Sequence, residues 1–459
     1  MTERATKRPD RNHVAALMRR EQARFHEQYP TSRRHSTAAQ DHLLCGAPLP
    51  WMREWQSPFT IYVQSAAGAE ITDVDGNVFA DFCLGDTGAM FGHSPPALLE
   101  AAARELPRGI TQMLPTEDCL WLGEELARRF GLKYWSFALT ATDANRFACR
   151  FARQLTGRPK ILVFNGCYHG SLGEASVDLR DGRVVRRDGS VGIVEPPEST
   201  TRVVEFNDLE QLDRALAEGD VACVLAEPAL TNCSMVLPAD GFHDGLRELT
   251  REHRTLLIID ETHTISTSES GYTGAYGLEP DILTLGKPIG GGIPAAVYGF
   301  SAEVGERAQD LLERNNDFST GIGGTLSGNA FSLRAMRAMF ESVITEQSYD
   351  HMSSMAAALE EGIGASIERH GMPWHVSRLG ARVEYGTSPE PWKTGSEVHA
   401  GADHEVERLI HLYCLNRGVL VTPFHNMLLT SPATEERHVH RHNEAFDEVV
   451  GELAAGAVA

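Results

Sequence analysis

Residues 255–264 read TLLIIDETHT, an apolar run that ends on Asp260 and Glu261. A continuous run of this length, rich in Leu and Ile, fits a strand covered on both faces, the kind found in parallel sheets. The pattern recurs along the middle of the chain. YWSFAL leads into the helical stretch TDANRFACRFARQL; ILVFNG and ACVLAEPA follow; DGLRELTREHR runs into TLLIIDE; then come DILTLGK and AAVYGF. Short apolar strands alternating with helices predict an α/β fold with a mostly parallel sheet. Ligands of such sheets bind beyond the carboxyl ends of the strands. Asp260 is therefore expected at a site, with a helix cap as its plainer role.

The flanks follow other patterns. Residues 60–82, TIYVQSAAGAEITDVDGNVFADF, alternate apolar and polar positions around Asp75-Gly76, which predicts an antiparallel hairpin. HVAALMRREQARF has helical spacing and predicts a surface helix packed on the body or on a partner subunit. Beyond about residue 330, the helical NAFSLRAMRAMFESVI precedes a mixed segment with Pro389 and Pro391, and a closing helix is expected near 434–455. The expected division is residues 1–82 as an N-terminal helix and hairpin belonging to a small domain, 83–328 as the large domain, and 329–459 as the C-terminal small α+β domain. The large domain is then an insertion.

Composition narrows the function classes. The 459 residues carry a formal charge of -21, which disfavours nucleic acid and anionic membrane surfaces as partners. Eight cysteines form no C-x-x-C pair, and Cys149 and Cys223 fall inside apolar runs; a reducing, cytoplasmic setting is expected, without a zinc or disulfide framework. No run approaches the roughly 20 apolar residues that span a bilayer. The N-terminal arginines are interrupted by acids and followed by no apolar core, which argues against a secretion signal. His438, His440 and His442 resemble a metal cluster, but only the first and last share a helix face, so a solvated helix start is expected and no metal.

The strand DILTLGK ends on Lys287, which Pro-Ile-Gly-Gly-Gly follows. No P-loop consensus surrounds it, and the glycines open no dinucleotide-binding helix. The remaining lysine chemistry is a Schiff base with a carbonyl, for which pyridoxal phosphate is the commonest partner. That cofactor needs a lysine, a carboxylate for its pyridine nitrogen, a ring-stacking group and donors for its phosphate. Lys287, Asp260, Tyr168 in FNGCYHG, and the strand-to-helix turn Thr140–Ala144 are candidates for these roles.

The set TATDA, CYHG, LAEPAL, LLIIDETHT, TLGKPIGGG and GGTLSGN resembles the class III aminotransferases among the fold-type I pyridoxal-phosphate enzymes. It lies nearest the branch with glutamate-1-semialdehyde aminomutase and the β-amino-acid and amine transaminases, from about residue 44 to 430. The resemblance implies a large domain with a mostly parallel sheet flanked by helices, plus a small α+β domain. It implies that Lys287 binds the cofactor and then carries a proton, and that Asp260 pairs with the pyridine nitrogen. Thr262 and Tyr168 would lie on opposite ring faces, His263 would reach the phenolic oxygen, Ala141 and Thr142 would hold the phosphate, and Glu227 would order the polar network. Thr325 would touch the phosphate in the neighbouring subunit of a homodimer.

The chain departs from the pattern in three regions. The phosphate turn usually reads S-G-T-E-A, and Ala141 adopts a positive φ less cheaply than glycine. Thr262 and His263 stand where Val and then Met or Gln are usual. Trp51 stands where the β-amino-acid transaminases carry a carboxylate-binding arginine, with Arg53 close by. Trp51 and Trp55 are expected to form an aromatic substrate wall, with Arg53 or Arg382 as a cation for a keto acid; ordinary core and solvated roles are the plainer reading, as for Arg146. The expected activity is ping-pong transfer of an amino group between an amine or ω/β-amino acid and an α-keto acid or ketone. The rivals are a 2,1-aminomutase, an epimerase or lyase on the same scaffold, and a cofactor-binding regulator.

Overall fold

A computed structural model describes residues 8–315 and 321–458. The chain forms two compact units. The larger comprises Pro96–Tyr349 and Trp392–Ala400; the smaller comprises Met1–Pro95, Asp350–Pro391 and Gly401–Ala459.

The larger unit is built on a seven-stranded sheet of β1 (Tyr134–Ala138), β2 (Lys160–Phe164), β3 (Thr201–Val204), β4 (Val221–Ala226), β5 (Leu256–Asp260), β6 (Ile282–Leu285) and β7 (Ala296–Phe300), in the order β1-β7-β6-β5-β4-β2-β3. Its neighbours pair in parallel, except β7, which is antiparallel to β6 and β1. Strands β4 to β7 are buried at every position, which is why they read as unbroken apolar runs. Strand β3, TRVV, escaped the sequence reading because its four residues start on two polar side chains. The register sets Asp260 beside Thr284, so strand ends two chain segments apart reach the same level.

The helix Ala141–Thr156 follows β1. Thr140 caps it by accepting from the Asp143 amide at 3.1 Å, and its hydroxyl donates to Asp143 at 3.0 Å. Ala144, Phe147, Ala148, Phe151 and Ala152 form its buried face, and Gly157 at φ +70 ends it.

In the smaller unit, the hairpin expected around Asp75-Gly76 extends to three antiparallel strands, Val63–Ala67, Glu70–Asp73 and Val78–Asp81, with a second turn at Gly68. Asp73 holds the predicted turn by accepting from the Asp75 and Asn77 amides at 2.9 and 2.8 Å. Val419–Leu420 adds in parallel to Val78–Asp81. The N-terminal helix spans Arg11–Gln28, is capped by Asp10, buries Val14, Leu17 and Phe25, and packs on the helix His404–Leu415.

Two expectations change. The units divide at 95/96 and 349/350 instead of 82/83 and 328/329, because the helix Ala330–Ser342 buries Leu333, Met336, Met339 and Phe340 and packs against Pro96–Glu105 and Glu117–Phe130. The histidines of the closing helix are not a solvated start. His438 is buried and accepts from the Glu435 amide, and His442 is buried against Phe82 and Phe446, while His440 is exposed. Among the described residues no three metal-binding side chains converge, and no helix is long and apolar enough to cross a membrane.

Candidate active site

Strands β1, β2, β4, β5 and β6 run in one direction, so their carboxyl ends lie along one edge of the sheet. That edge receives Thr140–Thr142 after β1, Asn165–His169 after β2, Glu227 after β4, Asp260 at the end of β5, and Lys287 after β6.

Asp260 is buried, and both oxygens of its carboxylate take part in a polar cluster. Oδ2 accepts from Asn145 Nδ2 at 2.7 Å and lies 2.9 Å from His169 Nδ1; Oδ1 accepts from the Thr262 amide at 3.1 Å. Thr284 Oγ1 donates to Asn145 Oδ1 at 2.6 Å, which fixes the amide so that its nitrogen faces Asp260. Burial alone pushes the Asp260 carboxyl up, but the His169 contact and the amide donors outweigh it and hold the group down at about 2. Burial pulls His169 down, yet contact with Cys167 and Asp260 raises it well above its ordinary range. We attach the rise to Asp260, since an acid at 2.9 Å is the stronger cause. The result is a buried ion pair. Neither Asn145 nor His169 stood out in the sequence; a lone Asn on the otherwise apolar face of Ala141–Thr156 was the signal for the first, and a His beside the site's Tyr168 for the second.

Lys287 follows Gly286 at φ +52, a left-handed conformation that costs a non-glycine residue energy and marks a constrained position. Its Nζ lies 2.7 Å from His263 Nε2. Gly286 presses the strand end onto the helix N-terminus: a Cβ built there would lie 3.0 Å from Ala141 Cβ and 3.1 Å from the Ala141 nitrogen. Gly170, at φ +72, stands so close to Thr142 that a Cβ would collide with its hydroxyl, which accepts from the Ser171 amide at 3.2 Å. Ala141 itself is helical and has no positive φ, so the alanine in this turn carries none of the strain that its replacement of glycine implied.

Glu227 is buried, accepts from the Tyr168 amide at 3.2 Å and from Thr231 Oγ1 at 2.5 Å, and burial raises its carboxyl above the ordinary range. Tyr168 itself is 44% exposed. Thr262 is buried with an Oγ1 that finds no hydrogen-bond partner. Glu261, the other acid of the opening run, is structural. It accepts from Thr264 Oγ1 and from the Tyr272 and Thr273 amides, which ties the helix Gly271–Tyr276 to the strand end.

These residues fit pyridoxal phosphate. The glycines at 170 and 286 leave the N-terminus of a 16-residue helix uncovered by side chains, a ready place for a phosphate. An ionised buried carboxylate faces the same edge, and the orphaned Thr262 hydroxyl awaits a polar neighbour.

The remaining candidates have the following settings within their own units. Thr325 is exposed on the larger unit. Arg146 is half exposed and faces Asp143 at 3.6 Å. Trp51, Arg53, Trp55 and Arg382 belong to the smaller unit. Trp51 is 42% exposed and meets Phe424 edge-on at 6.0 Å. Trp55 is partly buried and packs against the cluster that contains Phe25, Tyr29 and Phe79. A short 3-10 turn, Pro50–Arg53, carries Trp51 and ends before Trp55. Arg53 is exposed and donates to the Cys45 carbonyl at 3.0 Å. Arg382 is fully buried, donating to Thr87 Oγ1 at 3.0 Å and contacting Met427.

The chain is similar to known proteins. The family model "Aminotransferase class-III" matches residues 51–450. A glutamate-1-semialdehyde 2,1-aminomutase 1 of Bacillus cereus (strain G9842) is 34% identical over 338 residues, covering 72% of this chain and 77% of that protein. The crystal structure of a glutamate-1-semialdehyde aminomutase from Pseudomonas aeruginosa PAO1 superposes with a TM-score of 0.95 at 51% identity, covering 97% of this chain and 99% of that one. A lysine-to-alanine variant of such an aminomutase from the same organism, in complex with PMP, matches with the same figures.

Proposed function

This chain belongs to the class-III aminotransferase family, and on that premise we propose that it moves an amino group from an amine or an ω- or β-amino acid to an α-keto acid or ketone, donor and acceptor using one site in turn. It is a pyridoxal-phosphate-dependent enzyme. The observation that carries the reading is the Asp260–His169–Asn145 cluster, a buried carboxylate kept ionised at a strand end close in sequence and register to Lys287.

When bound, pyridoxal phosphate supplies an electron sink for charge developing at the substrate carbon. The residues decide how that sink is used. Asp260 presents a fixed negative charge that keeps a proton on the ring nitrogen, and His169 and Asn145 keep Asp260 ionised and oriented. The free amides at the start of Ala141–Thr156 hold the phosphate. Lys287 Nζ holds the aldehyde between turnovers and moves a proton at the substrate carbon during them. Tyr168 covers a ring face, with its backbone tied to Glu227. The reading includes a homodimer in which Thr325, exposed on the larger unit, meets the neighbour's phosphate site. It also includes a cytoplasmic setting, supported by eight free cysteines.

The likeness to proteins named glutamate-1-semialdehyde aminomutase favours a second reading, a 2,1-aminomutase in which donor and acceptor are one molecule. Two measurements separate the readings. Borohydride should fix the cofactor on Lys287; a tag elsewhere removes both. Under the first reading an amino donor is consumed only when pyruvate or another keto acceptor is supplied. Conversion of glutamate-1-semialdehyde to 5-aminolevulinate with no acceptor present would replace it with the second.

A further inference from the structure

Resting on the reading of Lys287 as the cofactor lysine, we propose that His263 is the base that takes a proton from the Lys287 amine as that amine engages an aldehyde. An ammonium has no lone pair with which to bond carbon, so Nζ must first give a proton to a neighbour. His263 Nε2, at 2.7 Å, is in direct contact. Because an ammonium only donates, the facing Nε2 is the bare, accepting nitrogen, with the ring proton on Nδ1.

The carboxylates around this corner are engaged with other donors. Asp260 is held by His169, Asn145 and Thr262; Glu261 by Thr264, Tyr272 and Thr273; Glu227 by Tyr168 and Thr231. In the transfer the Nζ–H bond breaks and leaves its electron pair on nitrogen, the Nε2–H bond forms, and the positive charge passes from lysine to imidazole. The freed lone pair bonds the aldehyde carbon, the carbonyl oxygen takes one further proton from Nζ and the proton held by His263 and leaves as water, and release runs the same transfers in reverse with that water restored.

The test uses full-length protein freed of cofactor. Capture and release of pyridoxal phosphate are followed by stopped-flow absorbance in wild type, His263→Gln and His263→Ala. A base speeds both directions alike. Both rate constants should therefore fall about 100-fold in the variants while the equilibrium constant stays the same. Free imidazole should restore the rates of His263→Ala. Unchanged rates in both variants, or weaker equilibrium binding without rescue by imidazole, overturn the proposal. Borohydride after capture reports which lysine has bonded. A tag on another lysine overturns the reading of Lys287 and this proposal with it; a tag on Lys287 at wild-type rates in the variants overturns this proposal alone.

Discussion

Gly286 stands against Ala141 so closely that a Cβ on the glycine would lie 3.0 Å from the alanine's own Cβ. The residue before Lys287, the proposed cofactor lysine, is thereby pressed onto the first turn of the helix proposed to offer its amides to a phosphate. Gly286→Ala should push the two apart at a cost of about 1–3 kcal/mol, the usual range for overpacking. Cofactor retention should fall with it, because the lysine and the phosphate site move relative to each other. Thermal melting and equilibrium dialysis of the variant check both effects; wild-type retention would show the contact to be slack.

Asp260→Asn keeps the shape and removes the charge. Cofactor should still bind, but deprotonation of the substrate carbon should slow by about 10²–10³-fold, the scale on which a preorganised charge contributes. Single-turnover half-reactions measure that step directly. The variant also removes the acid that raises His169, so the buried imidazole should lose its proton and the ion pair's contribution to stability should disappear with it.

The Asp260–His169 pair has a defined acid limit. Asp260 is lowered to about 2 in the folded chain, against an ordinary value near about 3.9. Its contribution is present above the ordinary value and lost as pH falls through about 2; about 2–3 kcal/mol is at stake. His169 is raised, so its share is full below its ordinary value of about 6.5 and fades as pH climbs through the raised one. The stability gap between wild type and Asp260→Asn should therefore be widest from about pH 4 to 6 and shrink toward pH 2. Denaturant melts at a series of pH values read it out; a gap that grows on acidification contradicts the pairing.

Glu227 behaves in the opposite sense. Burial raises it, so the folded chain favours its neutral form, and that advantage disappears as pH rises through the raised value. Glu227→Gln, neutral throughout, should melt higher than wild type at pH 8 and level with it at pH 4. Activity should fall if the negative charge orders Tyr168, whose amide it accepts from.

Thr325→Ala should weaken cofactor retention about 10–100-fold, the worth of one hydrogen bond to a charged group. The loss should appear only in the assembled dimer. Sedimentation with cofactor absorbance as the signal tests this, and full retention in a diluted monomer rejects the shared site.

What was legible in the chain had one-dimensional causes. Strands β4 to β7 are buried on both faces, so their sequence says strand without knowledge of neighbours, and each ends where a polar residue must begin. Asp260 and Lys287 were visible for that reason. Asn145 and His169 were not, because their role exists only once a helix face and a loop after β2 converge on the tip of β5. The boundary near 330 failed similarly: the apolar face of Ala330–Ser342 is plain, but the sequence does not say which unit will cover it. The helical spacing assumed for Trp51 and Trp55 is replaced by a short turn, Pro50–Arg53, that holds only the first of them, and Trp51 meets Phe424 while Trp55 packs against the cluster of Phe25, Tyr29 and Phe79.

The strand Val78–Asp81 finds its parallel partner only at Val419–Leu420. During synthesis the ribosome must deliver the whole continuous Pro96–Tyr349 stretch of the larger unit before that partner exists. The larger sheet, whose seven strands all fall between residues 134 and 300, can thus assemble while the edge of Val78–Asp81 is still open. An exposed strand edge that waits on so distant a partner invites pairing with the wrong chain. Slower expression at lower temperature should therefore raise the soluble yield, and a chain truncated just before Val419 should aggregate even with its entire candidate active site translated.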